Sequence, residues 1–215
     1  MTGSDPLFLA ELYTPGGGSQ WMAPSNPGTV PDPMFFPSPF IAFTPRVYHA
    51  VSLLLPNGSV LVAGGEELFR DRNYTGRRTM KARHTGEIFN PPYLFQKPRP
   101  RITNCPDKVI LAAGEDPPRF SVRVDTLDSV LGGEIIDRVV ILRPGAVTHH
   151  FDNDQRYIEL DFESTNPPLL PGPLTLKVVP PPESLVPPGY YLLFVVATNT
   201  LGQRVPSEGV WIQFI

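Results

Sequence analysis

Cysteine is almost missing from this chain. Of 215 residues only Cys105 is one, which excludes an intramolecular disulfide and any thiolate metal cluster. It stands between Asn104 and Pro106 without a basic or histidine neighbour, and reads as a small linker side chain rather than a reactive thiol. Charge is sparse as well, at 18% of residues, and 18 basic against 21 acidic side chains leave a formal net charge of −3 without blocks of one sign. Such a surface has no electrostatic footprint for nucleic acid or an anionic membrane. No window approaches the roughly 20 apolar residues of a membrane helix. Met1-Thr2-Gly3-Ser4-Asp5 lacks the basic start and apolar core of a signal peptide, so no export address is expected from these residues.

What the chain does have is punctuation. Its 28 prolines and 18 glycines break it into many short segments, which disfavours long helices and predicts an all-β chain, either one large domain or two smaller units. The clearest element is a hairpin. Residues 51–55 and 60–63 are aliphatic, and Pro56-Asn57-Gly58 between them supplies the positive-φ residues of a tight turn. Gly64-Gly65 is expected to end the second strand. Just before the hairpin, Tyr48 and His49 are adjacent. On a regular strand neighbours face opposite ways, so both reach one metal only at a strand mouth or a bend.

Ala10-Glu11-Leu12-Tyr13-Thr14-Pro15 returns 76 positions later as Gly86-Glu87-Ile88-Phe89-Asn90-Pro91. An edge strand, a loop with Trp21, a strand pair and a double glycine make the grammar of a kelch-type propeller blade, stretched by the proline-rich passage before residue 46. Two chance matches in a β-rich chain are the competing reading. After the prolines of residues 91–100 the pattern changes. Strand signals at 109–112, 120–124, 138–142, 157–162, 174–179, 190–197 and 210–215, separated by Gly, Pro and Asp, predict an immunoglobulin-like sandwich with 190–197 central. Trp211, in an alternating strand, is expected in the core.

The histidines are His49, His84, His149 and His150, the last two in the long connection of residues 144–155. Long loops on a rigid scaffold are where functional groups are presented. Imidazole and phenolate donors suit Cu(II), and the lack of sulfur and scarcity of carboxylate argue against structural zinc. Ordinary strand and loop histidines are the competing reading. Asn57-Gly58-Ser59 and Asn73-Tyr74-Thr75 match the glycosylation acceptor pattern.

Pro45-Arg46-Val47-Tyr48-His49-Ala50, continuing through Leu53-Leu54-Leu55-Pro56-Asn57-Gly58, resembles the last propeller blade of galactose oxidase and glyoxal oxidase, the mononuclear copper radical oxidases. Glu87-Ile88-Phe89-Asn90-Pro91-Pro92-Tyr93-Leu94 and Arg99-Pro100-Arg101-Ile102 resemble the junction into their C-terminal sandwich. Thr148-His149 with Asp154-Gln155-Arg156 resembles the loop that reaches copper, and residues 188–195 with Val205-Pro206-Ser207 resemble the closing strands.

The resemblance implies a partial kelch-like propeller blade over residues 1–97 and an immunoglobulin-like, early-set β-sandwich over 98–215. It implies Cu(II) held by Tyr48, His49 and His149, with Tyr48 also the catalytic base that takes the substrate hydroxyl proton. Asp154, Gln155 and Arg156 would fix the loop. In the family a second tyrosine, cross-linked to a cysteine upstream of the Tyr-His pair, forms the radical cofactor. Here only Tyr13 precedes Tyr48 and no cysteine does. The chain therefore resembles the C-terminal fragment of an extracellular oxidase of aldehydes, primary alcohols or sugars, expected inactive without the missing blades. The alternative is a non-catalytic structural or carbohydrate-binding sandwich.

Overall fold

The computed structural model describes residues 12–14, 20–22, 46, 48–69, 79–96, 98–112, 117–125, 135–149, 151–165, 173–199 and 201–215. At several strand positions, Tyr48 among them, the description covers the backbone alone. The described residues contain no α-helix; strands dominate, with one 3-10 turn at Pro92–Phe95. No helix is long and apolar enough to cross a membrane among the described residues. The chain divides into two compact units: Met1–Leu53, Val60–Pro92 and Val147–Phe151 form one, and Leu54–Ser59, Tyr93–Ala146 and Asp152–Ile215 the other.

In the first unit, β1 (Leu12–Thr14) pairs antiparallel with β2 (Gln20–Met22), setting Tyr13 opposite Trp21. A four-stranded sheet follows, built from β3 (Tyr48–Leu54), β4 (Val60–Phe69), β5 (Thr79–Ala82) and β6 (Gly86–Phe89), with β4 paired to the other three. Leu12-Tyr13 of the first copy and Glu87-Ile88-Phe89 of the second thus lie on strands, and Glu11 lies outside the described residues. The expectation that Gly64-Gly65 ends the second strand is corrected, because β4 runs on to Phe69. The two glycines, at φ 68° and 92°, instead bend the strand where its partner changes. Val60–Ala63 lie against β6, and Glu66–Phe69 against β5. Only glycine takes two successive left-handed steps without steric cost.

The second unit is a two-sheet sandwich. Its larger sheet orders β13 (Arg156–Leu160), β10 (Ile135–Arg143), β16 (Gly189–Thr198), β18 (Val210–Phe214) and β8 (Lys108–Val109), with β17 (Arg204–Pro206) also on β16. The smaller orders β14 (Phe162–Ser164), β15 (Leu174–Val178), β9 (Phe120–Asp125) and β7 (Arg101–Asn104). A short hairpin, β11 (Val147–Thr148) and β12 (Phe151–Asp152), leaves the end of β10. Alternation decides the core. Val122, Val124, Leu176 and Val178 from one sheet meet Ile141, Tyr191, Leu193, Val195, Ile212 and Phe214 from the other, all completely buried. Phe214 is the keystone, edge-on to Tyr191 at 5.5 Å and to Phe120 at 6.4 Å. Burying one such side chain contributes about 1.5–3 kcal/mol.

β16 is central and continuously apolar for a stated reason: its other face is covered too. Leu192, Phe194 and Val140 form a second buried cluster, packed by Leu54. Here the hairpin tip of residues 54–59 is secured. Gly209 N–H donates to Pro56 O at 2.7 Å, Tyr93 Oη–H to Gly58 O at 2.7 Å, and Arg99 to Asn57 O, Pro206 O and Ser207 O at 2.9–3.0 Å. Asn57 Oδ1 accepts from the backbone and hydroxyl of fully buried Ser59 at 3.0 and 2.6 Å. The acceptor pattern at Asn57 therefore serves as an Asx turn; Asn73 lies outside the described residues.

Three strand expectations change. The 109–112 signal yields only Lys108–Val109, parallel to β18, after which Leu111 N–H donates to Ile215 O and Ile215 N–H to Val109 O, both at 3.0 Å. The 157–162 signal splits at Asp161, with β13 joining one sheet and β14 the other. Trp211 is 51% exposed rather than core, since Ile212 and Phe214 take the inward positions of its strand.

Cys105 is partly buried against the sandwich core, and burial, then the Asp107 charge, pushes its thiol up to about 12. Raising the pKa favours the neutral thiol across the physiological range. Alkylation at about pH 8 is expected to run at least ~100-fold slower than for a free cysteine of pKa ~8.5, rising with pH and on denaturation. Rapid native-state labelling by iodoacetamide would contradict this. A second prediction concerns Gly209, where an added Cβ would lie 2.6 Å from the Phe194 ring. Gly209→Ala should lower the denaturation midpoint by an equivalent of ~1–3 kcal/mol at unchanged slope; an unchanged midpoint would show that Phe194 moves aside without penalty.

Candidate metal centre in the first unit

His49 is the second residue of β3, and its φ of 58° puts it in the left-handed region. That left-handed step interrupts the regular strand alternation between Tyr48 and His49. The backbone is shaped to accept it. Gly64, at φ 68°, sits so close that a Cβ there would lie 3.0 Å from the His49 carbonyl oxygen. Just upstream, Arg46 anchors the entry to the strand. Its guanidinium donates to Gly64 O at 2.7 Å and Thr85 Oγ1 at 3.0 Å and pairs with Glu87 at 3.4 Å, with the side chain only 4% exposed.

His149 follows β11 and also has a left-handed backbone, φ 50°. Its hairpin is closed at the base by Asp152, whose Oδ1 accepts from Ala146 N–H at 3.1 Å, Gln155 N–H at 3.3 Å and Asp154 N–H at 3.4 Å. Gly145 makes room, because any Cβ there would overlap the Asp152 carboxylate. Asp154 pairs with Arg143 at 2.8 Å. The loop-fixing role thus falls on Asp152 and Asp154 together.

The two imidazoles meet edge to face, with ring centroids 5.0 Å apart and planes at 82°. They are the only non-glycine residues with positive φ among the described residues. Each costs about 1–3 kcal/mol to hold there, and such strain concentrates at functional sites. Both rings have Nδ1 engaged, His49 with Glu66 Oε1 at 3.2 Å and His149 with Thr148 Oγ1 at 2.7 Å. The backbone of Tyr48 opens β3; its side chain lies outside the description. His84 is exposed in the β5–β6 connection and His150 lies outside the described residues. Among the described residues no three or more His, Cys, Asp or Glu form a metal-holding group. A centre here would draw on the two imidazoles and on oxygen donors of another kind, a combination of phenol and imidazole that suits Cu(II).

Arg46, Glu66 and Asp152 carry the local architecture, and sequence spacing alone did not mark them. Glu66 follows the double glycine, and only the bend in β4 brings it beside a residue 17 positions earlier.

The class is that of all-β proteins whose second unit is an immunoglobulin-like sandwich. The family model described as "Galactose oxidase-like, Early set domain" matches residues 99–214, more than half of the chain. The chain belongs to that family. Among curated relatives, it is 32% identical over 174 residues to aldehyde oxidase GLOX1 of Arabidopsis thaliana, covering 80% of this chain and 26% of the relative. It is 31% identical over 217 residues to aldehyde oxidase GLOX of Vitis pseudoreticulata, with 99% and 36% covered. A galactose oxidase of Gibberella zeae is 28% identical over 209 residues, with 95% and 24% covered. The chain spans about a quarter to a third of the length of these relatives.

Gly64→Ala tests how far the strand shape supports His49. It should cost more than Gly202→Ala, because Gly202 has a similar φ of 72° but nothing within 4 Å of an added Cβ. Gly202→Ala is expected to cost the left-handed penalty of about 1–2 kcal/mol; Gly64→Ala should exceed it and shift the His49 ring resonances. Equal thermal midpoints with unmoved His49 signals would show that the contact has no consequence.

Proposed function

We propose that this chain is the C-terminal part of a copper radical oxidase that converts an aldehyde or primary alcohol, sugars included, with dioxygen to hydrogen peroxide. Two electrons and two protons leave the alcohol, giving an aldehyde, or leave the aldehyde's hydrate, formed by addition of water, giving the acid; dioxygen takes them up as peroxide. Residues 1–97 are then the end of a kelch-like propeller and 98–215 its C-terminal sandwich, in a secreted parent. His49 and His149 are the imidazole ligands of Cu(II), and Tyr48 is the third ligand and the catalytic base. The observation that carries this reading is the strained pair itself: two histidines 100 positions apart in sequence, each in a left-handed backbone, with rings 5.0 Å apart.

Bound copper supplies an electron acceptor and lowers the pKa of the hydroxyls around it. The chain's own groups do the rest. The two imidazoles fix position, while the Tyr48 phenolic oxygen receives the proton of the substrate hydroxyl, as a base must from within hydrogen-bond reach. The radical half of the chemistry is not encoded in residues 1–215. Cys105 is the sole cysteine, it lies between β7 and β8, and its raised pKa keeps it a thiol. Turnover is therefore assigned to the parent with its remaining blades.

The names of the relatives support the substrate class: two are aldehyde oxidases and one is a galactose oxidase. A second reading, a carbohydrate-binding or structural module, is favoured by one observation. Tyr157 and Trp211, 56% and 51% exposed, stand in one cross-strand row with Leu142 and Leu192 between them. Exposed aromatic rings with a polar tip suit a ligand that is apolar on one face and wet on the other, here on either side of the buried Leu192.

The deciding experiment is Cu(II) titration of the 215-residue protein with electron paramagnetic resonance. One tetragonal nitrogen/oxygen site per chain is expected. In His149→Ala its affinity should fall by more than the ~10–100-fold typical of losing an outer-shell partner, and the copper-loaded protein should release no peroxide. Affinity unchanged in His149→Ala would overturn the ligand assignment, and peroxide production would overturn the assignment of turnover to the parent. Sugar binding without copper that is lost in Trp211→Ala would favour the second reading.

A further inference from the structure

We propose that Glu66 is the positioning residue for His49: its carboxylate accepts the His49 Nδ1–H, fixes the ring tautomer, and assigns Nε2 as the coordinating nitrogen. The inference rests on the copper reading of His49 but stands on separate observations. Glu66 Oε1 lies 3.2 Å from His49 Nδ1. Its side chain is 23% exposed, and its second oxygen, Oε2, is buried with no hydrogen-bond partner among the described residues. A buried carboxylate oxygen without a donor is costly to maintain. Such a carboxylate beside a histidine in a left-handed backbone suits a positive charge placed on the far side of that ring.

The arrangement follows from β4. Gly64 and Gly65 take left-handed steps at φ 68° and 92°, and the next residue, Glu66, is the first to pair with β5, opposite Ala82. The bend turns Glu66 toward the His49 ring. An imidazole in water favours its proton on Nε2, so a ligand coordinating through Nε2 is helped by an acceptor at Nδ1, which also raises its donor strength. The two rings are treated unequally. At His149 the neutral Thr148 hydroxyl lies 2.7 Å from Nδ1. Glu66 thus strengthens His49 as a donor and orients its ring.

The test uses the full 215-residue chain. First, without metal and at a pH beyond which its ring nitrogen resonances no longer move, the tautomer of His49 is read from those resonances. The Nδ1–H form is expected in the native protein and the Nε2–H form should dominate in Glu66→Ala. Second, Cu(II) itself is titrated. Glu66→Ala should bind about 10–100-fold more weakly, with an altered copper hyperfine splitting, and Glu66→Gln, which keeps the shape and an acceptor, should recover part of the affinity and the native tautomer. A His49 tautomer unchanged in both variants overturns the proposal whatever copper does. A changed tautomer with Cu(II) affinity within twofold of native overturns Glu66's role toward the metal. His149→Ala separates the two readings: if it leaves copper binding unchanged, the ligand assignment fails, while the metal-free tautomer still decides whether Glu66 controls His49. Where the alanine variant unfolds, Glu66→Leu, close to glutamate in size and without an acceptor, carries the same tautomer test: Nε2–H is expected, and Nδ1–H would overturn the proposal.

Discussion

Three backbone carbonyls converge on one guanidinium, and the sandwich depends on it. Arg99 donates to Asn57 O, Pro206 O and Ser207 O at 2.9–3.0 Å, tying the hairpin tip of residues 54–59 to the segment after β17. Arginine suits the task because its planar fork presents several donors at fixed angles, whereas a lysine would offer a point charge. Ser207 continues the link inward. Fully buried, it gives its hydroxyl to Glu208 O at 2.8 Å and accepts Val195 N–H at 3.0 Å, so the tip is coupled to the central strand. Leu54 then covers Leu192 and Phe194, and β16 becomes a strand buried on both faces.

The candidate centre relies on the opposite kind of constraint. Positive φ is uncommon for any residue with a side chain, histidine tolerating it better than most, and both candidate ligands have it. The surroundings compensate in two ways. Glycines at positions 64 and 145 remove side chains that would collide with the His49 carbonyl and the Asp152 carboxylate. Arg46 and Asp152, each with three polar contacts, then hold the backbone that enters each bend.

Much of the fold could be read in the sequence because alternation and turn chemistry are local. The Pro56-Asn57-Gly58 turn, the alternating strand β9 and the apolar run of β16 all carry their signal within a few residues. Long-range pairing does not. The break at Asp161 arises because two sheets compete for one apolar run, and Trp211 is outside because the Phe214 contacts fix which parity of β18 points inward. Motif resemblance singles out Tyr48, His49 and His149, and the structure brings the rings of His49 and His149 together. Glu66 is not singled out, since its meeting with His49 needs the bend in β4 and no spacing rule encodes it.

The parallel pairing of β8 with β18 has a consequence for how the protein is made. Lys108 and Val109 find their neighbours only at Gln213 and Phe214, about a hundred residues later, and Phe214 is also the ring on which Tyr191 and Phe120 close. A ribosome emits residues in order, at roughly 5–20 per second. Until residue 215 has cleared the exit tunnel, the sandwich lacks both its keystone and one edge, and the nascent chain carries its apolar β16 uncovered. Completion of this domain thereby waits for Gln213 and Phe214, however early the rest of it emerges.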